Sequence, residues 1–184
     1  MRVITGSARG RKLKTLDSMD IRPTPDAVKE AIFSIIQFDV QGAAVLDLFG
    51  GSGQLGIEAL SRGAARAVFV DQAPKAIGVI KKNIAAARVE DRAEVLHMTY
   101  QQALQRLAGQ QFDVLFLDPP YGGELLNSAL KAVESFDILS PDGIIICESS
   151  VEDSVKCPES FAVQKTYQYG TIFLTAMCRK EENS

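Results

Sequence analysis

Short apolar runs alternate along the chain with segments in which apolar residues recur at helical spacing. The runs, each typical of a buried strand, occupy residues 43–48, 67–70, 93–97, 112–117 and 143–147. The helical spacing predicts helices over residues 27–38, 55–62, 74–88, 100–108 and 124–136. Two further strands, over 160–169 and 171–179, are joined at Gly170 as a predicted antiparallel hairpin. This order predicts an α/β fold with a seven-stranded, mostly parallel sheet and helices on both of its faces.

The fourth predicted strand, over residues 112–117, runs into Asp118, Pro119, Pro120 and Tyr121. Two consecutive prolines cannot extend a sheet, because neither has an N–H to donate and each fixes its own φ. In parallel α/β sheets, ligands bind at the carboxyl ends of the strands. A carboxylate beside an aromatic ring there suits a flat, amine-bearing substrate, which the ring stacks on and the acid hydrogen-bonds. The alternative is a turn that only ends the strand, with a solvated Asp118 and a packed Tyr121.

A glycine-rich turn joins the first predicted strand to its helix, in the sequence Asp47-Leu48-Phe49-Gly50-Gly51-Ser52-Gly53. Glycines let the backbone approach a ligand closely and adopt positive φ. Asp71 ends the following strand, about 20 residues beyond the turn, where an acid is expected to hold the hydroxyls of a ribose. Together these features predict a nucleotide-like ligand.

The position of Asp47 bears on which nucleotide binds. A carboxylate at the mouth of the turn repels the pyrophosphate of a dinucleotide and suits a cationic ligand, such as the amino-acid portion of S-adenosylmethionine. The alternative is that Asp47 braces the N–H groups of the turn, which is compatible with the same cofactor. The chain has no Gly-Lys-Ser/Thr sequence, and this excludes a P-loop nucleotide triphosphatase.

Composition bounds the class of protein. At 184 residues, with 46% hydrophobic and 23% charged side chains, the chain is expected to form one domain with a real core. The chain contains no run of 18 apolar residues, so no membrane span is predicted, and the first residues do not resemble a signal peptide. The three cysteines lie far apart along the chain and do not have the spacing of a zinc site. Their number and spacing do not suggest a disulfide framework, which fits a protein of the reducing cytoplasm. No cluster of His, Cys and Asp is available to hold a metal, and the single histidine, His97, is expected to be structural. A monomer is the default.

Charge divides the chain into a basic arm and an acidic body. Residues 1–25 carry six basic and two acidic side chains, a net charge of +4, whereas the whole chain carries −3. The arm is predicted to be a hairpin of short strands over 2–6 and 11–16, and Thr24 or Asp26 is expected to cap the helix that follows. A basic arm on an acidic body is a candidate contact to nucleic-acid phosphates, and the alternative is a solvated, arginine-rich hairpin. We therefore expect an extension over 1–25 and a main domain over 26–184.

The motifs together resemble those of a known family. Residues 45–53, with Asp118 to Tyr121, resemble the methyltransferases that act on exocyclic amines of bases. Segments 6–13, 22–24, 55–64 and the turn at 169–171, together with Asn83, are similar to the bacterial RsmD-type 16S ribosomal RNA guanine-N2 methyltransferases. The similarity extends over nearly the whole chain.

The resemblance implies a Rossmann-like class I methyltransferase fold, S-adenosylmethionine as cofactor, no metal, and 16S ribosomal RNA or the small ribosomal subunit as partner. It implies catalytic roles for Asp118, Pro119, Pro120 and Tyr121. Cofactor contacts are implied for Asp47, Phe49, Gly51, Gly53, Asp71, Gln72, Thr99 and Tyr100, and RNA contacts for Arg9, Arg11, Lys12 and Arg22.

The chain departs from the family pattern at Gly50, where Ala is usual, at Ala27, where a basic residue is common, and at Thr99. The family usually offers an Asp to the adenine amine at that last position, so the Thr99 hydroxyl or the Tyr100 backbone is expected to serve instead. Rival functions are a DNA or other RNA amino-methyltransferase and a non-catalytic assembly factor that binds the cofactor. An NAD-dependent oxidoreductase is disfavoured by Asp47 and by the absence of a catalytic His or Tyr-Lys pair.

Overall fold

A computed structural model describes residues 1–16, 24–120 and 124–181. Within these ranges, seven strands form one sheet, and five α-helices pack on it. The strands are β1 (Ala44–Asp47), β2 (Arg66–Asp71), β3 (Ala93–His97), β4 (Phe112–Leu117), β5 (Leu139–Ser150), β6 (Phe161–Tyr169) and β7 (Ile172–Arg179). The helices are α1 (Asp26–Ile35), α2 (Gln54–Ser61), α3 (Pro74–Ala87), α4 (Tyr100–Arg106) and α5 (Leu125–Ser135), with a short 3-10 turn at Glu90–Arg92.

The sheet order is β3-β2-β1-β4-β5-β7-β6. Strands β1 to β5 are mutually parallel, and β7 pairs antiparallel with both β5 and β6. Successive strands run outward from β1 in one direction to β3, and the chain then returns to place β4 on the other side of β1. This reversal opens a crevice at the carboxyl ends of β1 and β4, the position at which such sheets bind ligands. The predicted fold class is confirmed.

Apolar side chains alternate between the two faces of the sheet and build a core on each. One core joins the sheet to α1, α2 and α3, and the other joins it to α4 and α5. The central strands are buried on both faces, as expected for parallel strands between helical layers. Within the described ranges 1–16, 24–120 and 124–181, no helix has the length and apolar character needed to cross a membrane.

Two local predictions are corrected. The residue preceding α1 is Pro25, and no side chain caps this helix, because Thr24 is buried and turned toward another partner described below. Strand β5 extends well beyond the predicted residues 143–147. It begins at Leu139 with an irregularity in its pairing to β4, and it continues to Ser150 because β7 supplies a partner along its whole second half.

The N-terminal segment turns back on itself as a small antiparallel hairpin, but a single bridge between Arg2 and Lys12 replaces the two strands predicted over 2–6 and 11–16. Val3, Ala8 and Leu13 are buried and belong to the same core as α1, α2 and α3. The hairpin is therefore packed onto the domain through one apolar face.

Glu58 on α2 is the main polar anchor of this hairpin. Its fully buried carboxylate accepts hydrogen bonds from the backbone N–H groups of Ile4 at 2.8 Å and Thr5 at 2.9 Å. The same carboxylate pairs with Arg62 at 2.9 Å and lies 3.8 Å from the buried ammonium of Lys29. Burial lowers the pKa of Lys29, and the charge of Glu58 opposes that shift. A buried carboxylate with this many partners holds the hairpin in one orientation.

The turn of the hairpin lies directly against the end of α2. Ser61 Oγ accepts from the Ala8 N–H at 2.9 Å and donates to the Thr5 carbonyl at 2.5 Å. Gly6 has a φ of +88°, and a Cβ at this position would lie 1.8 Å from the Ser61 carbonyl oxygen. Only glycine allows this approach of the two backbones.

Candidate active site

A cavity of about 580 Å³ opens at the carboxyl ends of β1 and β4. Its size lies within the range of small-molecule sites. Ten of the predicted site residues line it: Asp47, Phe49, Gly51, Asp71, Gln72, Thr99, Tyr100, Asp118, Pro119 and Pro120. The fold therefore brings the two predicted motifs, separated by about 70 residues of chain, to one crevice, as expected when both follow adjacent parallel strands.

The glycine turn forms the floor of the cavity. Gly51 has a φ of +57°, and its N–H donates to Asp71 Oδ2 at 2.9 Å. Asp71 Oδ1 accepts from the Ala73 N–H at 2.8 Å, so this carboxylate holds the turn against the start of α3. Each oxygen retains a lone pair for a ligand hydroxyl. Gly53, by contrast, does not line the cavity: with a φ of +78°, it is the residue from which α2 begins.

Asp47 lies at the end of β1 and is almost completely buried. Its Oδ2 accepts from the Gly56 N–H at 3.2 Å, so it satisfies one of the free N–H groups in the first turn of α2. Burial raises the pKa of Asp47 to about 7, the Gly56 hydrogen bond lowers it, and the charge of Asp71 raises it. A cation placed in the cavity would restore the charged carboxylate.

Asp118 follows β4 and is half-buried at the cavity, directly before Pro119 and Pro120. Burial raises its pKa well above the ordinary value, and the neighbouring carboxyls of Glu148 and Asp47 raise it further. A hydrogen bond from the Thr24 side chain acts in the opposite direction by stabilising the ionised form. Three carboxyls from β1, β4 and β5 thus share one largely apolar cavity, which favours retention of a proton or binding of a cation.

Two aromatic rings form part of the cavity wall, one from the glycine turn and one from the start of α4. The rings of Phe49 and Tyr100 lie 5.6 Å apart, tilted by 46°, and both border the cavity. Thr99 begins α4 in a reciprocal capping arrangement with Gln102, so its hydroxyl is engaged by the helix itself. Gln72 lines the cavity, and its carbonyl contacts His97 Nε2 at 3.1 Å.

The predicted RNA-contacting side chains fall into three groups. Arg9 and Lys12 are exposed on the hairpin. Arg11 is half-buried, and its guanidinium donates to the Ala86 carbonyl at 3.2 Å, near the end of α3, where a cation is favourable. Arg22 lies outside the described residues, as does Tyr121 of the predicted catalytic motif.

Among the further residues that line the cavity, Thr24 and Glu148 act directly on Asp118. Thr24 was expected to cap a helix, and it lies instead in the cavity wall with its side chain bonded to Asp118. Glu148 directly follows the strand predicted over 143–147, and the sequence analysis assigned it no role. It is buried in the same cavity, because β5 neighbours β4 in the sheet. In the sequence, only its position directly after the fifth apolar run indicated that it could reach the site. Among the described residues, no group of three or more His, Cys, Asp or Glu side chains is arranged as a metal site.

Comparison with known proteins agrees with this geometry. The family described as conserved hypothetical protein 95 matches residues 1–178. The ribosomal RNA small subunit methyltransferase D of Haemophilus influenzae is 34% identical over 174 residues, which cover 94% of this chain and 90% of that protein. The chain belongs to the RsmD-type methyltransferase family.

Other members extend this similarity. The protein YlbH of Bacillus subtilis is 42% identical to this RsmD-type chain over 162 residues, covering 87% of each. The solved yhhF structure of Escherichia coli superposes with a TM-score of 0.88 at 31% identity and covers 99% of both chains. The solved HI0767 structure of Haemophilus influenzae gives a TM-score of 0.83 at 31% identity, covering 98% of this chain and 99% of that one. The fold is therefore the Rossmann-like fold of these family members.

The contact between Thr24 and Asp118 leads to a direct prediction. Thr24→Val keeps the shape of the side chain and removes the hydroxyl, so the pKa of Asp118 should rise further above its ordinary value. Titration of the Asp118 carboxyl carbon by NMR in the free protein measures this shift, and Thr24→Ser, which keeps the hydroxyl, is the control. An Asp118 pKa that is unchanged or lowered in Thr24→Val would contradict the assigned hydrogen bond.

Proposed function

We propose that this chain transfers a methyl group from S-adenosylmethionine to the exocyclic N2 of a guanine in small-subunit ribosomal RNA. The observation that carries the proposal is the placement of Asp47 and Asp118 at the ends of two adjacent parallel strands, within one cavity. Adjacent strands lie about 4.8 Å apart, so a donor held by the β1 side and an acceptor held by the β4 side are brought into contact.

The lining of the cavity fits the proposed cofactor. The buried carboxylate of Asp47 suits the ammonium group of its amino-acid portion, and the free lone pairs of Asp71 suit the ribose hydroxyls. Phe49 and Tyr100 provide flat apolar surface for the adenine. When bound, the cofactor supplies an electrophilic methyl group at its sulfonium. The names of the family relatives, which are methyltransferases, support the same choice.

On the acceptor side, Asp118 and Pro119 orient the amine. The Asp118 carboxylate and the Pro119 carbonyl accept the two N–H groups, which aims the lone pair of the nitrogen into the cavity. The exocyclic amine of a base is conjugated and a poor nucleophile, so alignment is the main contribution of the protein. The amine becomes cationic as it is methylated, and the carboxylate stabilises this charge. Because the pKa of Asp118 is raised, this side chain is also suited to receive the proton that the product releases.

The target base has to leave its stack to reach this cavity, or be presented by a single-stranded segment. The stacking role of Tyr121 stays a prediction. The small-subunit ribosomal RNA substrate is inferred from the Haemophilus influenzae and Escherichia coli relatives, which are named for that activity. The guanine N2 position follows from the resemblance of the motifs to guanine-N2 methyltransferases.

We further propose that the basic segment 1–25 contacts RNA and that 26–184 form the catalytic domain. Arg9 and Lys12 extend into solvent from a hairpin whose backbone is held by Glu58 and Ser61. Neither cation takes part in an ion pair with a described residue. A rigid hairpin with free cations suits phosphate contacts, because little ordering is needed on binding. A monomer in the cytoplasm stays a prediction.

Replacement of the proposed acceptor-side carboxylate tests the chemistry. Asp118→Asn should lower methylation by at least about a hundredfold and leave cofactor affinity within about twofold, since Asp118 acts on the amine. Labelled S-adenosylmethionine measures turnover, and calorimetry with S-adenosylhomocysteine measures binding. Asp113→Asn is the matched control, because Asp113 lies at the opposite end of the same strand and bonds Ala44 and Ser140 there. Full turnover by Asp118→Asn would contradict the assigned role.

The substrate is tested in the same assay. Naked small-subunit ribosomal RNA, small ribosomal subunits and DNA are each incubated with labelled cofactor, and modified bases are mapped by mass spectrometry. Label on guanine N2 in either RNA sample is the expected result. Label on DNA alone would identify a DNA methyltransferase, and no label on any sample would indicate a binding protein without turnover. Either outcome overturns the proposed function.

The raised pKa of Asp47 predicts the pH dependence of cofactor binding. In the free protein this pKa is about 7, and the ammonium group of the ligand should lower it in the complex. Binding below pH 7 then requires loss of a proton, so the affinity for S-adenosylhomocysteine should rise with pH between about 5.5 and 8 and level off above. Calorimetry across this range should show a flat and weaker profile for Asp47→Asn. A wild-type affinity that is independent of pH would contradict this placement of the ammonium group.

The proposed role of the hairpin predicts a salt effect. A double Arg9→Ala, Lys12→Ala variant should bind RNA more weakly, and its plot of log affinity against log salt should be shallower by roughly 1–2 units. Fluorescence anisotropy with a labelled small-subunit RNA fragment measures both quantities. The control is Arg106→Ala with Lys131→Ala, an exposed Arg and Lys on α4 and α5, across the sheet from the hairpin. Equal slopes for the two double variants would contradict a specific role of the hairpin.

A further inference from the structure

The segment that follows the hairpin forms part of the cavity wall. Thr15 and Leu16 line the cavity beside Ser52 and Gly51 of the glycine turn. The Cδ1 atom of Leu16 lies 4.0 Å from the position that a Cβ on Gly51 would occupy, which is ordinary van der Waals contact. The N-terminal segment therefore contributes to the same site that the glycine turn builds, although nearly 40 residues separate the two along the chain.

One side chain connects these two parts of the wall. Asn83 of α3 is completely buried. Its Oδ1 accepts from the Lys14 N–H at 2.7 Å, and its Nδ2 donates to the Lys14 carbonyl at 2.9 Å. The same Nδ2 donates to the Ser52 carbonyl at 2.8 Å. Both N–H groups of the amide and its oxygen are thus used, and they join Lys14, which directly precedes Thr15 and Leu16, to the glycine turn.

Other contacts of the hairpin lie elsewhere. Glu58 and Ser61 hold its first strand and its turn against α2, and neither side chain bonds the glycine turn. The Ser52 hydroxyl contacts the Met1 sulfur at 3.8 Å, which is a weak hydrogen bond. Asn83 is therefore the strong polar link between the two walls among the described residues. A buried amide that has three good partners permits one arrangement of the groups it joins.

We propose that Asn83 is a positioning residue that holds the wall segment 14–16 and the glycine turn in the geometry that binds the cofactor. This inference rests on the proposed function, because it takes the cavity to be the cofactor site. Asn83 itself does not line the cavity and acts through Lys14 and Ser52. Its effect is on the preformed shape of the site, so it should govern cofactor affinity and leave the acceptor side, with Asp118 and Pro119, unchanged.

Asn83→Ala tests the proposal, with Ser61→Ala as a matched control. Ser61→Ala also removes buried hydrogen bonds that hold the hairpin, but those bonds do not reach the glycine turn. Asn83→Ala should raise the Kd for S-adenosylhomocysteine about tenfold, because part of the binding free energy is then spent on ordering the wall that Asn83 no longer holds. Ser61→Ala should change it by less than about twofold. In turnover assays Asn83→Ala should raise the KM for S-adenosylmethionine in proportion and leave kcat within about twofold.

The outcomes separate this inference from the proposed function. Unchanged affinity in a folded Asn83→Ala protein overturns the positioning role alone, and so does an equal loss of affinity in both variants. A wild-type protein that does not bind S-adenosylhomocysteine overturns the cofactor assignment and this inference together. A fall in kcat at constant KM in Asn83→Ala also overturns the positioning role. That result indicates a smaller folded fraction and not a misplaced wall.

The wild-type protein provides a second measurement that needs no variant. S-adenosylhomocysteine should slow hydrogen exchange at the Lys14 amide, whose acceptor Asn83 also holds the glycine turn, when exchange is followed by NMR. The Ala8 amide, bonded to Ser61, is the internal control and should be unaffected. Equal protection of both amides, or of neither, overturns the proposal.

Discussion

The parallel pairing of β1 with β2 on one side and with β4 on the other is the constraint on which the site depends. The chain continues from β1 to β2 in one direction and from β4 to β5 in the other, so a crevice opens between the carboxyl ends of β1 and β4. The glycine turn follows one of these strands and the Asp118 segment follows the other. Their juxtaposition is thus a consequence of strand order, and the apolar alternation that buries both faces of the sheet is what stabilises that order.

Electrostatics then gives this crevice its chemical character. Asp47, Asp118 and Glu148 come from three neighbouring strands and are brought together in an apolar cavity. Water would screen and solvate these carboxyls in an open site, but burial favours their neutral forms, which is why the pKa values of Asp47 and Asp118 are raised. A cavity of this kind attracts a cationic ligand and can take up a proton. Both properties match the reaction that we propose, in which a sulfonium donor methylates an amine.

The N-terminal hairpin is joined to this site by apolar packing and by buried hydrogen bonds. Its apolar face completes one of the two cores, and its backbone is held by the buried side chains of Glu58, Ser61 and Asn83. Its exposed cations are thereby carried at a fixed position relative to the cavity. For the phosphate contacts that we propose, a hairpin held in this way loses less conformational entropy on binding than a loosely tethered arm of the same composition.

Local pattern was sufficient to predict the α/β class, nearly all the helices and strands, and the two segments that end at the cavity. Apolar periodicity and glycine or proline at strand ends are properties of neighbouring residues, so a single chain displays them. The partners of the individual side chains in the site, by contrast, depend on contacts between segments that are distant in the chain. Thr24 was expected to cap a helix, and it bonds Asp118 because the fold brings both residues to one cavity. Arg11 had the appearance of a free cation, and it lies against the end of α3. Glu148 and Asn83 acquire their partners only when strands and helices far apart in the chain are packed together. Burial and the charge of spatial neighbours, which set the pKa values and fix these side chains, are properties of the folded molecule that no stretch of sequence contains.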